Sequence, residues 1–411
     1  MTAMTDRFAG CSGPQPGDIF REYTFRERHI YEIDPGSNCI PGSDGLKLTR
    51  PPQTPEFLEV DDLDDAIRAE MVIEYWGGHI GTTGQAFRIN DGVWISVPQP
   101  EGMSTEPEAY YRTVLGAVAP VPLEQIRKGL NKVQFKAGSQ LQRLNFCFGF
   151  YWVYSFTLII YYNSIKAHPE GFIKEPSKEL SAERTIGDLP FFEAEITCAT
   201  KPVSRVDFIG HYEDFDWKGT GRYLDWHYRY RYGDLAAHIG TTTKKPYIVR
   251  WNNFWVPDQD GPVRVAARIT DCSGISFMTH EISVLLKREE RTVIMYKAWK
   301  VPENFGSRIG QRKSCKINVS EDPESARAAC LIFSNWSAAH GEEITFNGTV
   351  IADRVGVVHD VSCDSIPIPL RLILKGTNEF SIFSTTDEHA AEVNWPGPVL
   401  LMEYARKAAK A

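Results

Sequence analysis

From about Phe57 the chain falls into short runs of apolar and polar residues that suit strands rather than helices. "AEMVIEYWGG" mixes apolar and polar positions in the manner of a half-buried strand. "QAFRINDGVWISVP" is a run, an Asn-Asp-Gly turn and a second run, which predicts a hairpin. "TEPEAYYRTVLG" predicts a short helix. The longest apolar stretch, "FCFGFYWVYSFTLIIYY", is aromatic, β-branched and broken by polar residues. It predicts a buried strand pair or one long bent strand. It is shorter than the roughly 20 uninterrupted apolar residues of a membrane helix, so no membrane span is expected. A second series of strands runs through residues 191–300, from "FFEAEITCAT" to "HEISVLLKR", with turns at sandwich-like spacing. A third occupies about 315–405. Residues 1–56, rich in Pro, Gly and charge, read as an extended arm, and 163–190 as a polar linker.

The first and third series repeat one another. "PLEQIRKGLNKVQF" begins at Pro122 and "PLRLILKGTNEFSI" at Pro369. Each has Pro-Leu, four residues, Lys-Gly, one residue and Asn, and then alternating apolar positions. Pro sets an extended entry, Gly supplies a positive φ in a tight turn, and the alternation starts a strand inside a sheet. An Asn-Gly-type hairpin precedes each copy: Asn90 to Gly92, then Asn347 and Gly348. The shared order of features predicts one fold used twice. The whole is expected to be all-β and multi-domain: an arm (1–56), a β-sandwich (57–162), a linker (163–190), a second sandwich (191–305) and a third (306–411).

Composition narrows the function. The 411 residues carry a net charge of -8, which argues against nucleic acid as a partner. Aromatics make up 12% of the chain, and Trp and Tyr line ligand grooves. The opening "MTAMTDRFAGCSGPQPGD" lacks a basic start followed by an apolar core, so a cytoplasmic location is expected. The 8 Cys are scattered with no Cys-x-x-Cys, which speaks against a zinc or redox motif and for free thiols. No nucleophile elbow, Walker loop, dinucleotide fingerprint or His-Glu-x-x-His occurs, so no cofactor is expected.

The densest chemistry lies in "HYEDFDWKGTGRYLDWHYRYRYGD", residues 211–234. Read as a strand, Leu224, Trp226, Tyr228, Tyr230 and Tyr232 share one face, and Tyr223, Asp225, His227, Arg229 and Arg231 the other. The polar row can polarise a carbonyl and shuttle a proton through His227 and Asp225, with Tyr228 or Arg229 on a ligand oxygen. Alternatively it is a solvated face in which Asp225 pairs with Arg229. Asp214, Asp216 and Asp225 surround "KGTG", but Trp217 and Lys218 occupy that loop, so no metal is expected. His211, Tyr223, Trp251 and Trp255 are candidate substrate contacts; alternatively one Trp fills the core and the other packs on a neighbouring domain. Trp395, in "EVNWPGP" beside His389, is a further candidate.

The "L-K-x-G-x-N-x-φ-x-φ" stretch and its preceding hairpin resemble those of galactose-binding-like jelly rolls. The segment "VDFIGHYEDFDWKGTG" through "VRVAARITDCSG" resembles immunoglobulin-like domains attached to carbohydrate-active proteins. In length and general character, with aromatic richness and no cofactor motif, the chain also resembles the fungal hetero-Diels–Alderases of tropolone sesquiterpenoid pathways. That resemblance implies a cofactor-independent enzyme of secondary metabolism. It would dehydrate an alcohol to an ortho-quinone methide and guide its [4+2] addition to a humulene-type terpene, an apolar small-molecule substrate. The jelly-roll resemblance leaves open a lectin-like carbohydrate-binding protein or a polysaccharide hydrolase or lyase, with a sugar as partner. Oligomeric state is left open.

Overall fold

The structure, a computed structural model, describes residues 13–25, 31–33, 55–103, 110–138, 151–174, 185–387 and 389–406. The fold is all-β: antiparallel strands dominate, and helical geometry is confined, among the described residues, to short 3-10 turns such as Leu123–Gln125 and Leu370–Leu372. No helix among them is long and apolar enough to cross a membrane.

Two sandwiches share one plan. In the first, the strand Ala66–Trp76 lies between Thr113–Val121 and Tyr151–Tyr162, and the latter continues to Ile19–Phe25. In the third, Ala326–Trp336 lies between Val361–Pro367 and Val399–Ala405, which continues to Arg291–Trp299. The facing sheets also correspond: Glu56–Val60, Gly129–Lys136, Ala86–Ile89 and Ile95–Ser96 in the first, and Gln311–Val319, Gly376–Ser384, Glu343–Phe346 and Thr349–Ala352 in the third. The inward alternation of these strands fills two cores, around Phe87, Phe135 and Phe156 and around Phe333, Phe346 and Phe380.

The repeated Lys-Gly-x-Asn stretch shows why it is spelled twice. Asn131 accepts the Arg127 N–H at 2.9 Å and donates to the carbonyls of Arg127 and Gly129. Asn378 does the same with Leu374 and Gly376. Asn90 donates to Asn131 Oδ1 at 2.7 Å and accepts the Lys132 N–H; Asn347 repeats both bonds with Asn378 and Glu379. Each buried Asn satisfies backbone groups that the turn leaves unpaired. Gly129 and Gly376 both hold φ 95°, which few side chains tolerate.

Several expectations are corrected. The arm is not wholly outside the fold, because Ile19–Phe25 is a sheet strand with the same role as Arg291–Trp299. That second strand lies within 191–305 in sequence but pairs with Val399–Ala405 of the third sandwich. Short amphipathic strands look alike in sequence, and pairing partners alone assign them. Ile19–Arg21 also pairs with Ile275–Phe277, so the first and middle sandwiches share a 12-stranded sheet. The expected linker supplies Glu170–Ile173 and Thr185–Ile186 to the middle sandwich. The expected helix gives way to Thr113–Val121, in which buried and half-buried positions alternate from Leu115 onward; its start, 105–109, lies outside the described residues. Within the aromatic run, Tyr151–Tyr162 forms one long strand, and 146–150 lies outside the described residues. Cys198, Cys272, Cys315, Cys330 and Cys363 are free thiols, while Cys11, Cys39 and Cys147 lie outside the described residues.

Candidate functional site

The segment 211–234 does not form one continuous strand. Leu224–His227 pairs with the end of Val203–Glu213, the chain breaks at Tyr228, and Arg229–Arg231 forms a separate hairpin with Asp234–Ala236. Trp226, Tyr228 and Tyr230 are buried together against Phe20, Ile159 and Tyr161, in keeping with the aromatic face.

The polar row disperses. The His227 imidazole is buried against the Tyr212 ring at 4.4 Å, and its Nε2 lies 2.6 Å from the Tyr212 carbonyl. Burial pulls its pKa down to about 4, so it is uncharged at neutral pH. Asp225 pairs with Lys218 and not with Arg229; burial works to raise its pKa, but Lys218 holds it below the usual carboxylate range. Arg229 donates to Cys363 Sγ at 2.9 Å. The Tyr223 ring lies under the Lys297 ammonium, and His211 packs edge-on against Trp226. Trp251 fills the core of the middle sandwich, whereas Trp255 packs beside Val293 and Cys330 of the third. Asp225 and Tyr228 reach a cleft of about 100 Å³ with Lys218, Glu101 and Arg222, and His227 does not line it. That volume suits a few waters better than a drug-sized ligand. The loop carboxylates are engaged: Asp214 accepts the Trp217 indole N–H, and Asp216 the N–H groups of Thr220 and Gly221.

A richer constellation lies where the sandwiches meet. The equivalent strands Ala66–Trp76 and Ala326–Trp336 end in Trp76 and Trp336, and these indoles stack on each other at 5.0 Å and 22°. Trp152, the cross-strand neighbour of Trp76, completes the cluster at 5.3 and 5.2 Å from the two. Past each strand the chain folds back. Gly78, with φ 90°, returns His79 to 5.2 Å from Trp76. Ser337, with φ 53°, opens the turn Ala338–His340. His359 lies parallel to Trp336 at 6.1 Å, His389 sits 4.1 Å from His359, and His340 is 5.9 Å from His359.

Two carboxyls adjoin this cluster. Glu392, opposite Trp336 in the sheet, is 1% exposed and accepts the Trp76 indole N–H at 3.1 Å. Burial raises its pKa well above the carboxylate range, which favours the neutral acid. Glu74 lies beside a β-bulge that turns it out of the regular pleat. It accepts the backbone N–H groups of Tyr232 and Gly233, both at positive φ in the hairpin turn. Burial pushes its pKa up to about 7, against the pull of Arg231. Arg231 pairs with Asp360 and lies 4.8 Å from the Tyr154 ring. The Tyr154 hydroxyl and Trp336 Nε1 are buried without a hydrogen-bond partner among the described residues. Trp395 joins the rim: its N–H donates to the Tyr111 carbonyl, its ring is 4.6 Å from Tyr110, and Tyr111 packs with Trp76 and Trp336.

Of the residues singled out in sequence, the cluster thus gathers Trp395 and His389, with Arg231 of the polar row. It also takes Trp76, Trp152, Tyr154, Trp336, Glu74 and Glu392, which the sequence reading missed. A signal existed: "EYWGGH" and "SNWSAAH" each close the equivalent strand with a Trp followed by a His three or four positions on.

No family model matches the chain, and no curated protein matches it in sequence. Solved structures resemble it distantly. A β-porphyranase of glycoside hydrolase family 86 from Bacteroides plebeius is 12% identical over 53% of this chain and 35% of that one, with TM-score 0.23. A β-glucuronidase from Ruminococcus gnavus is 11% identical over 73% and 52%, with TM-score 0.22. The fibronectin(III)-like modules of Clostridium thermocellum CbhA are 16% identical over 54% and 89%, with TM-score 0.18. The chain spans about a third of the first of these and half of the second. Likeness at this level carries no argument about activity.

Proposed function

We propose that the chain is a cofactor-independent enzyme working by general acid–base catalysis on a flat, ring-bearing small molecule held between the sandwiches. The finer reading is a hetero-Diels–Alderase of secondary metabolism. One observation carries it: a buried carboxyl, Glu392, hydrogen-bonded within a cluster of stacked indoles, where desolvation favours its protonated form. A neutral acid in such a site donates its proton to a departing hydroxyl. Glu74, titrating near neutrality, accepts the proton of the ring's enol, so one water leaves and an ortho-quinone methide forms. The cycloaddition then makes one C–C and one C–O bond with no further proton transfer. It needs only that both partners be held in a reactive pose, which can contribute roughly 7–11 kcal/mol. The test is incubation of the purified protein with a hydroxymethyl-tropolone and humulene, followed by chiral chromatography and mass spectrometry. A single stereoisomer of the dihydropyran adduct, at a rate above the protein-free reaction, supports the reading; a racemic adduct at the background rate refutes it.

A second reading, a carbohydrate-active protein, is favoured by two buried carboxyls beside Trp faces, a pairing that also serves glycoside hydrolysis. Release of reducing sugar from an oligosaccharide panel, abolished in Glu392→Gln, would establish it over the first.

A further inference from the structure

We infer that this ring cluster is an anion site, in which Arg308, His340 and His359 hold a negatively charged oxygen on a flat conjugated ring. The inference rests on the reading of the cluster as a substrate site and adds the charge and shape of what it takes.

The rings come first. His340, His359 and His389 lie 4.1–6.0 Å from one another, and His359 and His389 also pack on Trp336. Nε2 of both His340 and His359 is buried with no hydrogen-bond partner among the described residues. Buried polar atoms are nearly always paired in a protein at rest, so two unpaired imidazole nitrogens in one ring cluster point to a ligand or water that pairs them. Imidazole clusters invite a metal, but among the described residues no three His, Cys, Asp or Glu groups are placed to hold one ion.

Charge comes second. Arg308 follows the strand Gly306–Ser307, in which Gly306 pairs with Glu392. Its guanidinium donates to the Asp387 carbonyl at 3.2 Å, and no described carboxylate forms an ion pair with it. Burial first, and then the fields of His389 and Arg308, lower the pKa of His79, which packs on Trp76. The carboxyls that could neutralise that field do not. Glu392 bonds the Trp76 indole and burial favours its neutral form, and Asp360 is committed to Arg231. Among the described residues the cluster therefore combines a guanidinium without an ion-pair partner and two unpaired imidazole nitrogens with stacked indoles. An enolate, phenolate or aromatic carboxylate satisfies both features.

The experiment titrates benzoate and benzamide into the full chain, followed by calorimetry and Trp fluorescence. The two share ring and shape and differ in charge. Benzoate is expected to bind roughly ten- to a hundred-fold more tightly, the size of one charge-assisted hydrogen bond. Arg308→Gln should remove most of that preference and leave benzamide unchanged. His359→Phe keeps the ring stack but removes the nitrogens, and should also weaken benzoate selectively. Melting curves confirm that each variant is folded. Equal affinity for the two probes overturns the anion site while leaving the cluster as a ring site. Failure of either probe to bind, or binding indifferent to Trp336→Ala, overturns both. Glucuronate binding more tightly than benzoate overturns the flat-ring assignment in favour of a sugar acid.

Discussion

The first and third sandwiches use the same strand for different ends. Ala66–Trp76 and Ala326–Trp336 have the same length and the same sequence of exposed and buried positions. Both finish in a Trp, and the two Trp residues meet face to face. Two residues earlier they diverge. In the first copy Glu74 sits at a bulge, reaches the Tyr232–Gly233 turn and titrates near pH 7. In the third, Ser334 and Asn335 hold regular pairing with Val361–Pro367, and Asn335 is consumed by bonds to Ser362 and Asp364. Glu392 then supplies the carboxyl from a different strand. Duplication built a symmetric aromatic floor, and local departures from the repeat made its chemistry asymmetric.

The comparison breaks most sharply at Glu392. Glu392→Gln keeps an acceptor for the Trp76 indole but has no proton to give. Turnover of the natural substrate should fall ~10²–10⁴-fold with an unchanged melting temperature. Undiminished turnover in the folded variant would remove the general acid.

The Asn clamps test the symmetry. Asn131→Ala and Asn378→Ala each strand several buried backbone groups, at roughly 1–3 kcal/mol apiece. Each should cost about 4 kcal/mol by chemical denaturation, and by similar amounts. A large effect in one sandwich with a negligible effect in the other would show that the bonds are not equivalent in energy.

Glu74 should make stability depend on pH. Its folded pKa of about 7 lies above the unbound value of 4.5, so between those values the folded protein keeps a proton that the unfolded chain has lost. Unfolding free energy therefore falls as pH rises from 4.5 towards 7, by up to about 3 kcal/mol from this group. His227, whose folded pKa is depressed to about 4, works the other way, with stability lost as pH falls from 6.5. Glu74→Gln should remove the first slope and leave the second, whereas Ser334→Gln at the matching site should change neither. Denaturation midpoints across pH 4–8 decide it.

The smallest contrast is between the stacked indoles. Trp76→Phe loses both stacking area and the bond to Glu392, while Trp336→Phe loses stacking area alone. The first should cost about 1 kcal/mol more. Equal losses would mean that the Glu392 bond contributes nothing net.

Most of the fold was legible. Alternation, the Asn-Asp-Gly hairpin and the doubled Pro-Leu…Lys-Gly-x-Asn stretch are local signals, and turn chemistry acts over a few residues. The roles of Ile19–Phe25 and Arg291–Trp299 were not, because either strand would suit several sheet edges. The polar row at 223–231 was read as one strand, but a break at Tyr228 sends Asp225 to Lys218 and Arg231 to Asp360. His227 drew notice as a histidine beside a carboxylate, yet its ring is held by the Tyr212 carbonyl.

By itself the sequence determined that this protein is built of β-sandwiches, that one of them is used twice, and that Asn131 and Asn378 close the same turn. Those features depend on residues near one another in the chain. Only the tertiary structure decided that Trp76 and Trp336 stack, that Glu392 is desolvated beside the Trp76 indole and that Glu74 titrates near neutrality. Desolvation and ring packing depend on groups far apart in the chain, such as Trp76 and Trp336, 260 positions apart, and no local pattern reports which surfaces of two similar modules will be pressed together.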